Sequence, residues 1–221
     1  PLEIIAVIFY TKALKVSPLS LTLPFLSLTP IFLITVPYIL FGEKVSIAGA
    51  IGVLLIAGGG YALNIKEFKK GVLEPFIAIK NEKGSIFMII VALIYAFTSS
   101  LGKMAIEHSS AVFFGVAYIA ALVILFAPLA LYNGRDELKL IFKNGALKSS
   151  ILPGLFSSLM IITHMIAMSM TKVAYMVSVK RLSLLIGVFY GFVLFKEKGM
   201  KERLAGAILM ISGFVVIVLS R

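Results

Sequence analysis

The sequence predicts an all-α polytopic membrane protein. Three observations carry that expectation: the composition, the division into eight apolar stretches, and the alternation of charge between loops. Hydrophobic residues make up 60% of the 221 positions and charged residues 14%, where a soluble domain shows about 45–50% and about 25%. With mean hydropathy at +1.07, no soluble fold hides that much apolar surface behind so few charges. The net charge is nevertheless +11, from 21 Lys and Arg against 10 Asp and Glu. Such an excess suits either nucleic acid or one face of a membrane, and its distribution selects the membrane.

A spanning helix needs about 20 mostly apolar residues. Eight candidates, each bounded by charge, Pro or Gly, fall at 1–14, 18–41, 46–64, 85–107, 111–132, 146–170, 174–195 and 203–219. The first is short and starts abruptly. Residues 66–84, rich in Lys and Glu with Pro75, read as an interfacial linker, and 133–148 as a second polar loop. The loops after the first, third, fifth and seventh stretches hold fifteen of the 21 basic residues, from Lys12 and Lys15 to Lys201 and Arg203. The opposite loops hold Lys44, Lys103, Lys172 and Arg221. We call the first side A and the second side B. The positive-inside rule makes side A cytoplasmic.

An internal repeat accompanies this pattern. Phe41-Gly42-Glu43-Lys44 is echoed by Phe195-Lys196-Glu197-Lys198 at an offset of 154 residues. The same ungapped offset aligns Ala13 with Ala167, Leu40 with Leu194, Gly52 with Gly206, Leu55 with Leu209 and Gly59 with Gly213. Equivalent stretches are five apart, so they cross the membrane in opposite senses. That is an inverted repeat, in which two halves rock around a midplane site. The division is 1–65 as the last three helices of a first repeat, 66–84 as linker, and 85–221 as a five-helix second repeat. Two further helices are expected before Pro1, which makes this an eight-helix portion of a ten-helix inverted-repeat transporter fold.

Ala13-Leu14 leading to Ser17-Pro18, Leu28-Thr29-Pro30, Phe41-Gly42-Glu43-Lys44 and the Gly52-to-Gly59 spacing resemble the later part of an EamA repeat of the drug/metabolite transporter superfamily. Phe195-Lys196-Glu197-Lys198 and Gly206 to Gly213 resemble the same unit. The resemblance spans nearly the whole chain on short motifs. It implies secondary transport of a small metabolite by alternating access across the cell membrane, with no covalent cofactor. It also implies cytoplasmic termini, which would put side B inside, against the loop charge.

Lys180 and Arg181 stand about six residues inside an apolar stretch, where each cation costs roughly 2.5–3.5 kcal/mol at mid-helix. One account is that both snorkel to side B or bind backbone carbonyls. The other is an anion clamp, with Arg as a planar fork and Lys as a point charge. His164 and Lys103 come out at a similar depth, about 10 Å from side B at 1.5 Å per residue. A paired Lys-Arg on the penultimate helix, with a Lys from the helix at 85–107, resembles the triose-phosphate and nucleotide-sugar transporter branch, where such residues contact phosphate. Lys103 also has Glu107 four residues on, an ion-pair spacing. His164 shares a helical face with Ser157, Met168 and Thr171; Tyr95 and Ser99 form a similar stripe toward Lys103.

The 18–41 stretch carries Pro18, Pro24, Pro30 and Pro37, which free the carbonyls of Ser20, Leu26 and Leu33 from helix bonding. Either these are packing kinks whose carbonyls Ser27, Thr29 or Thr35 satisfy, or they border a transporter site, where freed backbone binds substrate or ions and Thr29 and Pro30 are candidates. Gly52, Gly59, Gly206 and Gly213 mark close helix packing. Glu43 and Glu197, just before helix N-termini, complement the dipole. Five methionines between Met160 and Met176 suit core, lipid face or a deformable cavity wall.

No enzyme assembles from these residues. There are two histidines, no cysteine and a single aspartate, Asp136, in a loop. Metal-ligand spacings, phosphate-binding Gly loops and paired intramembrane carboxylates are missing, and no intramembrane Asp or Glu offers itself as a proton carrier. The expected partners are a small-molecule substrate and the lipid bilayer, without nucleic acid, metal or cofactor. The expected function is a secondary transporter of an anionic or phosphorylated metabolite. The alternative is a non-transporting membrane scaffold or partner subunit.

Overall fold

The computed structural model describes residues 1–17, 23–63, 83–133, 146–186, 189 and 200–220, and every regular element among them is helical. In chain order these are α1 (Leu2–Val16), a 3₁₀ helix (Leu23–Leu28), α2 (Thr29–Phe41), α3 (Ile47–Ala62), α4 (Lys83–Glu107), α5 (Ala111–Asn133), α6 (Ala146–Met170), α7 (Val173–Lys180) and α8 (Met200–Leu219). Three segments, Lys83–Glu107, Ala111–Pro128 and Lys148–Met170, are long and apolar enough to cross a membrane. Phe25–Phe41, Ile47–Ala62 and Leu204–Leu219 are shorter apolar helices.

Two expectations about helix continuity need correction. The stretch 18–41 is broken: its described part is the 3₁₀ helix followed by α2, with Pro30 in the first turn of α2. Proline has no N–H for the Leu26 carbonyl and clashes with it, which costs a helix interior about 3 kcal/mol; in a first turn both defects vanish. Pro37 is carried inside α2, which ends at Gly42 with φ 75°, the left-handed conformation glycine adopts without strain.

The second correction falls on 174–195. α7 stops at Lys180, and the bonds from Arg181 N to Ser178 O and from Leu182 N to Val179 O, both 2.9 Å, span three residues. That is 3₁₀ spacing, the usual tightening of a helix end. No Pro or Gly announces it. Shifted by 154 residues, Leu23–Leu28 becomes 177–182, so the two breaks occupy equivalent places in the offset register. Glu197 and its Phe-Lys-Glu-Lys motif lie outside the described residues.

The chain forms two compact units, Pro1–Gly102 with Lys172–Arg221, and Lys103–Thr171. In the first unit α3 and α8 meet at their glycines. A methyl group added at Gly52 would sit 2.7 Å from the Gly213 carbonyl oxygen, and one at Gly213 would sit 2.6 Å from that of Gly52. Gly59 and Gly206 repeat the reciprocal pair at 2.6 and 2.8 Å. Only backbones without Cβ atoms approach so closely, and such seams suit helices that lack a hydrophobic force between them. The 154 offset converts one reciprocal pair into the other. α1 runs against the first half of α4 in the opposite direction: Gly84 N donates to Ser17 Oγ (3.2 Å), and the Phe9 and Phe87 rings lie 5.5 Å apart. Ala13, Phe25, Met88 and Val91 form the buried cluster between these elements.

In the second unit α5 packs on α6 where Gly115 faces Met165. Most of the large side chains on both helices are outward, with Phe113 at 68% and Ile124 at 71% exposure. Apolar surface on that scale is what lipid covers. The methionines divide accordingly: Met165 and Met168 are buried, whereas Met160 and Met170 are exposed.

Candidate functional site

Within the first unit, the two helix breaks meet. Arg181 Nη2 donates to the Leu26 carbonyl oxygen at 2.9 Å. Leu26 is four residues before Pro30, so this is the acceptor that proline deprives of a helical partner. Of the two accounts of the Lys180-Arg181 pair, binding to backbone carbonyls is the one this contact of Arg181 matches, at one of the three carbonyls named. A guanidinium presents five N–H donors in one plane, and this contact engages one of them. Lys180, next in chain, is exposed on its unit and ends α7, where a cation complements the negative end of the helix dipole.

The neighbourhood of this contact is partly polar. Tyr95 packs on the buried cluster together with Leu26 and lies within electrostatic range of Arg181. Ser99, one turn further along α4, is half-buried. Thr29, 2% exposed, has its hydroxyl without a hydrogen-bond partner among the described residues, and Pro30 beside it is buried. An unsatisfied buried hydroxyl is costly and invites a water or ligand atom.

The second unit holds the other two cations. Lys103 is 6% exposed; its Nζ donates to Met168 O at 2.9 Å and Ser169 O at 3.4 Å, and pairs with Glu107 at 3.3 Å. The ion pair expected from the four-residue spacing forms, and the same ammonium caps the last carbonyls of α6. His164 is half-buried, with its Nδ1 shielded. The first unit thus gathers Arg181, Tyr95, Thr29 and Pro30 around the breaks, while Lys103 sits in a complete local coordination.

A polar clasp near side B escaped the sequence. Glu43 Oε1 accepts from Val173 N at 3.0 Å, Lys172 Nζ donates to Lys44 O at 2.6 Å, and the Tyr175 hydroxyl is 3.1 Å from Ser46 Oγ. Glu43 therefore caps α7, not the helix that follows it; α3 is capped by Ser46, whose Oγ accepts from Gly49 N at 3.1 Å. Partners about 130 residues apart leave no local signal. Among the described residues, no group of three or more His, Cys, Asp or Glu could hold a metal ion.

Residues 82–219 match the EamA-like transporter family. No curated protein matches the chain in sequence. One solved crystal structure aligns with a TM-score of 0.65 at 20% identity, over 97% of this chain and 72% of the other. At that identity the likeness concerns the fold alone.

Proposed function

Because the chain belongs to the EamA-like transporter family of membrane transporters of small molecules, we propose that it carries a small anionic, phosphorylated or carboxylated metabolite across the cell membrane by alternating access. The observation that carries this is the Arg181 guanidinium held on the Leu26 carbonyl where two broken helices meet. A carbonyl is a weak partner for a buried cation, and a carboxylate or phosphate is a stronger one with the right bidentate shape. In the empty carrier Leu26 keeps Arg181 satisfied; the arriving anion takes the guanidinium over, with Lys180 as a point charge and the Thr29 hydroxyl as a further donor. Tyr95 and Ser99 border the approach. Within the second unit, Lys103 holds the end of α6.

The reciprocal glycine contacts and the matching breaks support two inverted repeats, 1–65 and 85–221, around the 66–84 linker. The glycine seam is then the fixed element. The breaks are where backbone changes shape, and the clasp of Glu43, Lys172 and Tyr175 closes the side B end. Charge in the loops supports side A as cytoplasmic.

A thermal-stability screen of phosphorylated sugars, nucleotides, amino acids and cationic drugs identifies the substrate class, and stabilisation by cations alone overturns the anion assignment. With the stabilising compound in proteoliposomes, Arg181→Ala weakens uptake about 30-fold or more, in line with roughly 2 kcal/mol or more for removing a buried charge partner. Undiminished uptake refutes the clamp, whereas wild-type protein that takes up none of the stabilising compounds favours a scaffold.

A further inference from the structure

We propose that Tyr175 and Glu43 are positioning residues for the anion site: acting through α7 they hold Arg181 on the Leu26 carbonyl, and the anion that takes Arg181 away loosens the side B clasp in return. This rests on the anion assignment above and adds to it the coupling between that site and its gate.

α7 is tied at both ends to the segment that contains the break and α2. At its start, Val173 N donates to Glu43 Oε1 at 3.0 Å, Lys172 Nζ donates to Lys44 O at 2.6 Å, and the Tyr175 hydroxyl meets Ser46 Oγ at 3.1 Å. At its far end, Arg181 Nη2 reaches Leu26 O at 2.9 Å. Glu43 follows α2 and Leu26 precedes it, so α7 runs antiparallel to that segment and is strapped across it. With eight residues, α7 is a rod of about 12 Å.

The two ends are held differently. Tyr175 is 2% exposed and fills the notch left by Gly49, where a methyl group would overlap the phenol. Ser46 N also donates to the Tyr175 hydroxyl, at 3.3 Å, and the Lys172 ammonium lies 5.5 Å from the ring centroid. Gly49 stands on α3, one turn before Gly52 of the glycine seam. The clasp end is therefore seated on a helix that the seam holds, whereas the Arg181 end rests on a carbonyl of the segment that breaks. Between them α7 has no slack. Val173, Ala174, Tyr175, Val177 and Ser178 are all buried, and closely packed interiors transmit a displacement instead of absorbing it.

The clasp favours the position of α7 in which Arg181 reaches Leu26, and an anion must take the guanidinium from that partner. Each clasp bond therefore opposes anion binding, and by linkage the bound anion weakens the clasp by the same factor. The empty carrier stays shut at side B, and occupancy loosens it. Contacts that only stabilised the fold would, when cut, weaken anion binding or leave it unchanged.

The Val173 and Ser46 amides both donate across the clasp, so their hydrogen exchange reads it directly. In ligand-free protein, Arg181→Ala removes the Leu26 tie, and exchange at these two amides speeds at least about fivefold. Pro30→Ala competes for the same carbonyl with the guanidinium intact, and speeds them about twofold or more. Amides of the α3–α8 seam keep their wild-type rates in both variants. Unchanged clasp exchange in either variant, or equal acceleration at clasp and seam, overturns the proposal. Sulfate is the ligand probe. Tyr175→Phe and Glu43→Ala each bind it at least about fivefold more tightly than wild type, and Glu43→Gln, which keeps an acceptor oxygen, returns toward wild-type affinity. Equal or weaker binding by either Tyr175→Phe or Glu43→Ala overturns the positioning role. Arg181→Ala loses sulfate; if it binds like wild type, the anion assignment itself fails. The exchange rates of ligand-free protein decide the coupling through α7 even if wild type binds no sulfate.

Discussion

The α3–α8 seam and the meeting of the two helix breaks are both pairings across the 154-residue offset, yet they are built oppositely. At the seam, four glycines bring backbone onto backbone, and each approach of 2.6–2.8 Å from a Cβ position to a carbonyl leaves no room for a side chain. At the breaks, backbone bonding is interrupted and a long cation reaches a carbonyl that proline has freed. At the seam each glycine faces a carbonyl oxygen of the other helix, and no longer side chain fits between them. At the breaks the proposed cycle gives each group a second partner: an anion for Arg181, an N–H for Leu26 O and a ligand oxygen for Thr29. The proposed rocking carrier would thus assign rigid and switchable contacts to different helix pairs.

The largest expected effect comes from breaking the seam. Gly206→Leu forces α3 and α8 apart and costs about 3 kcal/mol or more, at or above the usual range for overpacking. Thermal unfolding in detergent reads this as a large drop in Tm or failure to assemble, and a wild-type Tm would mean the seam is not formed. Lys103→Met comes next, at about 2 kcal/mol, the scale of hydrogen bonds to a charged group. Its signature is lower stability with sulfate binding per folded molecule retained, because the ammonium serves α6. Pro30→Ala is the smallest and the most discriminating. It supplies an N–H that competes with Arg181 for the Leu26 carbonyl, worth about 0.5–1.5 kcal/mol, so anion binding changes by about 2–10-fold with stability kept. An unchanged binding curve would mean that the carbonyl plays no part in the exchange.

Several of these features were legible in the residues. The glycine spacing announced the seam, because only a face without Cβ atoms permits that approach and seven residues keep it on one face. Pro30 announced a freed Leu26 carbonyl, since the loss of N–H is local covalent chemistry. Lys103 and Glu107 announced their ion pair by spacing. The end of α7 at Lys180 was not legible: no proline or glycine stands there, and its hydrogen bonds tighten where Arg181 turns toward a chain segment 155 residues away. Glu43 was read as a cap for the wrong helix, because helix-start chemistry says that a carboxylate suits an N-terminus but not which one.

By itself, then, the sequence determined that this chain lives in a bilayer, where its apolar stretches begin and end, and which loops carry the positive charge. Those are properties of residues within about 20 positions of one another, written in hydropathy and backbone chemistry. Only the tertiary structure decided which carbonyl answers Arg181 and which helix Glu43 caps. Each of these depends on helix direction and register between segments far apart in the chain. A buried charge takes the partner that three-dimensional packing brings within reach, and local sequence carries no record of that choice.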